Sequence, residues 1–292
     1  MIEMVKEDIK MKEEKTKLDI LKKIVSIILI VILISILSFL GMNAFKTDEK
    51  VNHPKVTFDI EGKGKMVMEL YPEKAPNTVK NFLTLVNSGY YNEKVIYGKD
   101  INTIHVGRNQ DGTEAIPTKS MIDPEIKKGS EKDTEYNIEG EFADNNFTTN
   151  DLKHTKYMVS MSRANYTQLN KALVKESYNS ASGLFNIIMG EHAAELDGKY
   201  AVFGKIIEGQ NIVDEIFNME TNVKENQENK FQLRRFYPYI KIKSAVSDTK
   251  ESYKVKYIDA FSLDNYYNDM VKEYNKKHQT KVNITNLNKK EN

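Results

Sequence analysis

The chain of 292 residues contains no cysteine and no tryptophan. Without cysteine there is no disulfide, no thiolate zinc site, no cysteine nucleophile and no acylated cysteine of the kind that anchors bacterial lipoproteins. Charge of one sign is also missing: 43 Lys+Arg against 42 Asp+Glu leave a formal net charge of +1. Phosphate neutralisation needs a concentrated basic surface, so nucleic-acid binding is excluded as the driving role. Gly-rich phosphate loops and metal-ligand clusters are lacking too, and neither cofactor nor metal is expected. What remains, 40% hydrophobic and 10% aromatic residues, is enough for a folded core.

One segment departs from this average. Residues 24–42 form a 19-residue run, IVSIILIVILISILSFLGM, with no charge and three serines. At about 1.5 Å per residue, a helix of that length nearly spans a hydrocarbon core of roughly 30 Å. Seven lysines precede the run in residues 1–23, whereas the first dozen residues beyond it offer only Lys46 and Lys50. Orientation follows Lys/Arg counts, so the N-terminus is expected in the cytoplasm and residues 43–292 outside. A cleaved signal peptide is the competing reading, but its apolar core runs about 7–15 residues and ends at a small-x-small site. Met42-Asn43-Ala44 is a poor site of that kind. The expectation is a retained, single-pass anchor in a bacterial cell membrane, joined to an extracytoplasmic domain.

Beyond a polar stem at 43–53, Val56–Ile60 and Lys65–Leu70 alternate apolar and polar residues around Glu61-Gly62-Lys63-Gly64, which predicts a β-hairpin. Pro72 and Pro76 break the strand, and Val79, Phe82, Leu83 and Val86 recur at helical spacing as far as Gly89. Further short β-rich runs lie at 95–97, 103–106, 157–161, 184–189, 201–207 and 239–242, with a second amphipathic helix at Asn211–Met219. Many short strands and two helices predict a barrel or sandwich closed by helices. Stretches 107–135, 163–182 and 220–230 read as long loops, Leu263–Lys277 as a short helix and His278–Asn292 as a tail. Tyr253, Tyr257, Tyr266, Tyr267 and Tyr274 would either cover the barrel or form an interface, and covering is favoured.

Ordered blocks then carry a resemblance. Met68–Phe82, continuing to Ser88-Gly89-Tyr90-Tyr91, resembles the opening of a cyclophilin-type peptidyl-prolyl cis-trans isomerase. Glu141-Phe142, Val159-Ser160-Met161-Ser162-Arg163, Asn179–Phe185 and Leu196–Gly209 follow in the family's order, so the resemblance covers residues 54–248. It implies an eight-stranded antiparallel β-barrel closed by two α-helices, followed by a partly helical extension at 249–292. It also implies isomerisation of X–Pro bonds, with an arginine pointed at the prolyl nitrogen and no nucleophile, metal or cofactor.

The family's site motif, FHRVIPxFMIQGG, can be laid on this chain without gaps. Ile96 then takes the first Phe, Tyr97 the His and Gly98 the catalytic Arg. Thr103 and Ile104 take the pocket Phe and Met, and Val106 the glutamine that binds peptide backbone. Ser162, Leu184, Phe185, Asn186, Leu196 and Tyr200 complete the implied groove, with Asn186 at the aromatic floor and Glu195 where some members carry Trp. No residue takes the catalytic position; Lys99 and Arg163 are weak substitutes. His105 and His154 read as structural. The resemblance therefore implies an isomerase of reduced activity acting on proline-containing segments of secreted or surface proteins, with Gly98→Arg as the natural rescue. The alternative is a non-catalytic peptide-binding chaperone or docking module on the same scaffold.

Overall fold

The computed structural model describes residue 11, residue 15, residues 17–18, 20–35, 52–228 and 230–278. It divides into two compact units, residues 1–51 and 52–292. In the first, helix α1 is seen over residues 20–35, and Ile24 through Ile34 present exposed aliphatic side chains. Ser35 donates its hydroxyl hydrogen to the Ile32 carbonyl at 2.8 Å, so its polar group is satisfied within the helix. The span expected at 24–42 is thus seen only in part, because residues 36–42 and the stem as far as Val51 lie outside the described residues. Among the described residues no helix is long and apolar enough to cross a membrane.

The second unit is built on β1 (Lys55–Ile60), β2 (Gly64–Leu70), β3 (Val95–Lys99), β4 (Thr103–Arg108), β6 (Met158–Met161), β7 (Phe185–Ile188), β8 (Val202–Glu208) and β9 (Arg234–Ser247). These close into an antiparallel barrel in the order β1-β2-β8-β6-β7-β4-β3-β9. Two-residue alternation fills the interior: Val56, Phe58 and Ile60 of β1 and Met66, Met68 and Leu70 of β2 are all buried. A barrel of eight strands is just wide enough for side chains to fill it.

Helix α2 (Pro76–Asn87) plugs one end. Its Phe82 ring lies 4.9 Å from Phe203, 5.1 Å from Tyr91 and 5.5 Å from Phe185 between centroids. Proline at the first helical position costs no hydrogen bond, since that N–H has no helical partner. The cap comes from afar: the buried Glu141 carboxylate accepts from the Asn77 and Thr78 backbone N–H groups at 3.0 and 2.8 Å. Helix α4 (Gln210–Asn218) buries Ile212, Val213 and Ile216, and starts after Gly209 at φ +76°. A Cβ there would lie 2.6 Å from the Lys65 carbonyl oxygen, so only glycine fits.

The long loops carry structure of their own. Helix α3 (Val174–Tyr178) lies within 163–182, and β5 (Tyr136–Asn137) pairs with β10 (Ile258–Asp259) of the C-terminal extension. Helix α5 (Leu263–His278) follows, and the tail predicted beyond it lies outside the described residues. Tyr253 and Tyr257 pack on the core, whereas Tyr267 and Tyr274 are exposed.

His154 anchors the turn before β6. Asp197 accepts from the His154 backbone N–H at 2.8 Å, while its oxygens contact His154 Nδ1 at 3.0 Å and His192 Nε2 at 2.8 Å. Burial acts to raise the Asp197 carboxyl, but these hydrogen bonds outweigh it and hold the group well below the usual carboxylate range. Burial also pushes the His154 imidazole down, against the pull of Asp197.

Two outcomes follow for stability. Truncating Glu141→Ala leaves a buried N–H unpaired, at a cost of about 1–3 kcal/mol, and is expected to lower Tm in a thermal melt by on the order of 5 °C. The acid limb should have two sources. The unfolded chain protonates His154 below about pH 6.5 while the fold resists it, so stability declines from there downward. The Asp197 contribution is present above about pH 4 and is lost as pH falls through its depressed folded value. Tm measured against pH should therefore fall in both windows, and Asp197→Asn should flatten the lower one.

Candidate functional site

The groove residues implied by the resemblance fall on or beside β3, β4, β6 and β7, with Leu196 and Tyr200 between β7 and β8. On β4 the side chains divide by polarity. Ile104 and Val106 are fully buried in the barrel core, and Thr103 and His105 alternate with them on the other face. The gapless placement therefore puts two groove positions, Ile104 and Val106, on the inner face. The register explains the offset: β3 pairs Ile96 with Val106 but Gly98 with His105, so Tyr97 sits in a β-bulge. Ile96 points into the core, and Tyr97 turns out to the groove face.

Gly98 has no room for the family arginine. A Cβ on it would lie 2.5 Å from the Arg234 carbonyl oxygen and 2.8 Å from Leu233 Cδ1, against β9. Lys99 also leaves the groove. Its Nζ donates to the Met219 carbonyl at 2.9 Å and to the Phe217 carbonyl, at the end of α4, where a cation suits the helix C-terminus.

Phe185 is fully buried, 5.9 Å from Phe58, and forms part of the barrel core. Asn186 follows it on the outer face, in register with His105 and Ser160, and its Oδ1 is buried without a hydrogen-bond partner among the described residues. Thr103 donates to Asp100 Oδ2 at 2.8 Å, and His105 Nε2 lies 3.3 Å from the same oxygen. An apolar proline pocket is thus replaced by a polar cluster. Leu196 packs apart from the groove, on the small cluster of Met158, Ile188, Ala193 and Val202.

The structure does bring together Tyr97, Ser162, Arg163 and Leu184, in a cleft of about 260 Å³. Arg108, Tyr166, Ala260 and Phe261 line it as well, and sequence reasoning missed these four. A larger hollow of about 680 Å³ beside Pro76 and Lys256 involves none of the groove residues. Arg163 is a rim residue. Its Nε donates to the Lys199 carbonyl at 3.0 Å, and its guanidinium lies 4.4 Å from the Tyr200 ring centroid and 5.0 Å from that of Tyr178. Tyr200 therefore serves as a platform for Arg163.

Arg108 differs. Its guanidinium sits 4.8 Å from the Tyr97 ring centroid, and one terminal nitrogen donates to the Gly112 carbonyl at 3.0 Å. Its Nε is buried with no hydrogen-bond partner among the described residues. Burial pushes the Tyr97 hydroxyl up, with Arg108 acting in the opposite direction. The available signal was an arginine where the gapless motif ends in a second glycine. Across the cleft the C-terminal extension forms a wall: the Phe261 N–H donates to Asn137 Oδ1 at 3.3 Å, and the Phe261 ring lies 4.8 Å from Tyr166.

With this geometry in place, the likeness to known proteins is specific. The family model described as cyclophilin type peptidyl-prolyl cis-trans isomerase/CLD matches residues 55–237. The chain belongs to this family. It is 30% identical over 166 residues to the peptidyl-prolyl cis-trans isomerase cyp18 of Streptomyces antibioticus, covering 54% of this chain and 80% of that one. It is 27% identical over 158 residues to the peptidyl-prolyl cis-trans isomerase CYP23 of Arabidopsis thaliana, covering 54% of this chain and only 58% of that protein's length. Among solved structures, a cyclophilin type peptidyl-prolyl cis-trans isomerase of Cryptosporidium parvum aligns with a TM-score of 0.47 at 19% identity, covering 68% of this chain and 100% of that one.

The close approach at Gly98 yields a direct expectation. Gly98→Ala should separate β3 from β9 and destabilise the fold by about 1–3 kcal/mol in chemical denaturation. Gly98→Arg should destabilise at least as much and restore no activity, contrary to the expectation from the motif alone.

Proposed function

We propose that this chain is a cyclophilin-type X–Pro isomerase of reduced activity. It is held by residues 24–42 in a bacterial membrane with its barrel outside, and acts on proline-containing segments of secreted or surface polypeptides. The observation that carries the catalytic reading is the cleft at the family's groove face, where the Tyr97 ring, Leu184 and a guanidinium converge. Rotation of an X–Pro amide crosses a barrier of about 18–20 kcal/mol and needs no covalent partner. A site that binds the twisted amide more tightly than either planar form lowers that barrier by differential binding. The polar Thr103 and Asn186, where the family has aromatic walls, support a reduced rate because they grip a proline ring less well. The exposed aliphatic face of α1 and the lysines before it support the anchor.

An exchange assay on a short Ala-Pro peptide tests the activity, with the full chain in detergent micelles. The expected result is a rate above buffer. A rate equal to buffer, from protein that melts cooperatively, overturns isomerase activity, and peptide binding in that same sample would favour the docking module. The anchor is tested by alkaline carbonate extraction of expressing cells. The chain should stay with the membrane pellet, and its release into the supernatant would exclude a span.

A further inference from the structure

We propose that Arg108 supplies the cation of the groove in place of the arginine the family carries at the Gly98 position. This deepens the isomerase reading and rests on it. The β3 position is closed, because any side chain at residue 98 meets the β9 backbone within 2.5 Å. The other cations near the cleft are engaged elsewhere. Lys99 caps α4 through the Phe217 and Met219 carbonyls, and Arg163 is held by the Lys199 carbonyl and the ring of Tyr200.

The chain route to Arg108 is specific. Gly107 adopts φ +116°, a conformation that favours glycine, and a Cβ there would lie 3.2 Å from the Gly183 carbonyl oxygen. The end of β4 is thereby pressed against the Gly183-Leu184 segment that leads into β7. Arg108 and Leu184 consequently line one cleft. The bulge on β3 completes the arrangement by turning the Tyr97 ring outward as a platform 4.8 Å from the guanidinium. Strand β3 now carries the aromatic support and β4 the charge.

The half-buried guanidinium on the cleft wall is placed to meet a ligand. Arg108 spends one terminal nitrogen on the Gly112 carbonyl, and the Tyr97 hydroxyl also engages the guanidinium. In the twisted amide the prolyl nitrogen regains its lone pair and becomes an acceptor that the planar amide lacks. A guanidinium N–H facing that nitrogen stabilises the twisted state selectively, beside the apolar Leu184 and Phe261 in a cleft that Glu114 and Glu135 also line. No bond forms or breaks, and no proton is transferred.

The test compares the full chain with Arg108→Gln, Arg108→Lys and Arg108→Ala in detergent micelles, reading kcat and KM by peptide exchange and Tm by melting. Arg108→Gln is expected to lower kcat about a hundredfold while KM moves by less than about threefold. Arg108→Lys should recover part of the loss, and added guanidinium ion should restore turnover to Arg108→Ala. Unchanged kcat in Arg108→Gln, with an active parent, overturns the assignment and leaves the isomerase reading standing. Loss of rate in step with a fallen Tm, with no rescue by guanidinium, assigns Arg108 to loop support alone and also overturns it. An inert parent overturns both readings together.

Discussion

The seating of Phe82 in the mouth of the barrel is the contact on which the rest of the second unit depends. Its ring touches aromatic neighbours from three directions, Phe203 on β8, Phe185 on β7 and Tyr91 beyond α2. Losing a ring of this kind from a packed core costs on the order of 3–5 kcal/mol. The same helix also builds the site. Asn81, one residue away, donates to the Ser182 carbonyl at 2.7 Å and accepts from the Tyr136 hydroxyl at 2.6 Å, and the Tyr91 hydroxyl donates to the Gly183 carbonyl at 2.9 Å. These bonds fix the segment that leads into Leu184. The groove therefore inherits its rigidity from the core beneath it.

Core filling also decides which residues the groove can use. On β4 the choice lies between burying Ile104 and Val106 or burying Thr103 and His105. Fully burying an aliphatic side chain gains about 1.5–3 kcal/mol, whereas an unpaired buried imidazole costs energy. The aliphatic pair wins, and the polar pair is satisfied outside by Asp100. Once that face is set, the bulge at Tyr97 is what lets β3 keep its ladder on both sides. Strict motif spacing assigns Ile104 and Val106 to the groove, whereas packing turns both to the core.

The local patterns were legible. The β1–β2 hairpin, α2 and α4 each carry their own periodicity and punctuation, so 56–70, the stripe Val79–Val86 and 211–219 needed no distant partner to be read. Tyr97, Ser162 and Leu184, which the resemblance assigns to the groove, line one cleft. The rest depends on contacts that sequence does not display. Strand β9 runs from Arg234, well before the readable 239–242, because Pro238 interrupts its pattern and pairing with β3 and β1 sustains it. With two residues each, β5 and β10 are too short for any periodicity. Glu141 serves as a cap for a helix more than 60 residues away, which only the folded chain can bring about.

One wall of the cleft is built from residues beyond the family match, which ends at 237. Two residues of ladder between β5 and β10 are a weak attachment on their own. The extension is held more firmly by rings. Tyr257 lies 5.9 Å from Tyr136 and donates its hydroxyl hydrogen to Asp123 at 2.9 Å, and Phe261 rests between Tyr166 and Tyr266. Tyr136 is the residue that also bonds Asn81 of α2. The extension is thus tied to the barrel plug through the buried Tyr136 and directly by Asn77 of α2, whose amide donates to the Lys256 carbonyl and accepts from the Lys256 N–H, both at 2.8 Å, so the position of Phe261 over the cleft and the packing of Phe82 in the core are set by one connected network.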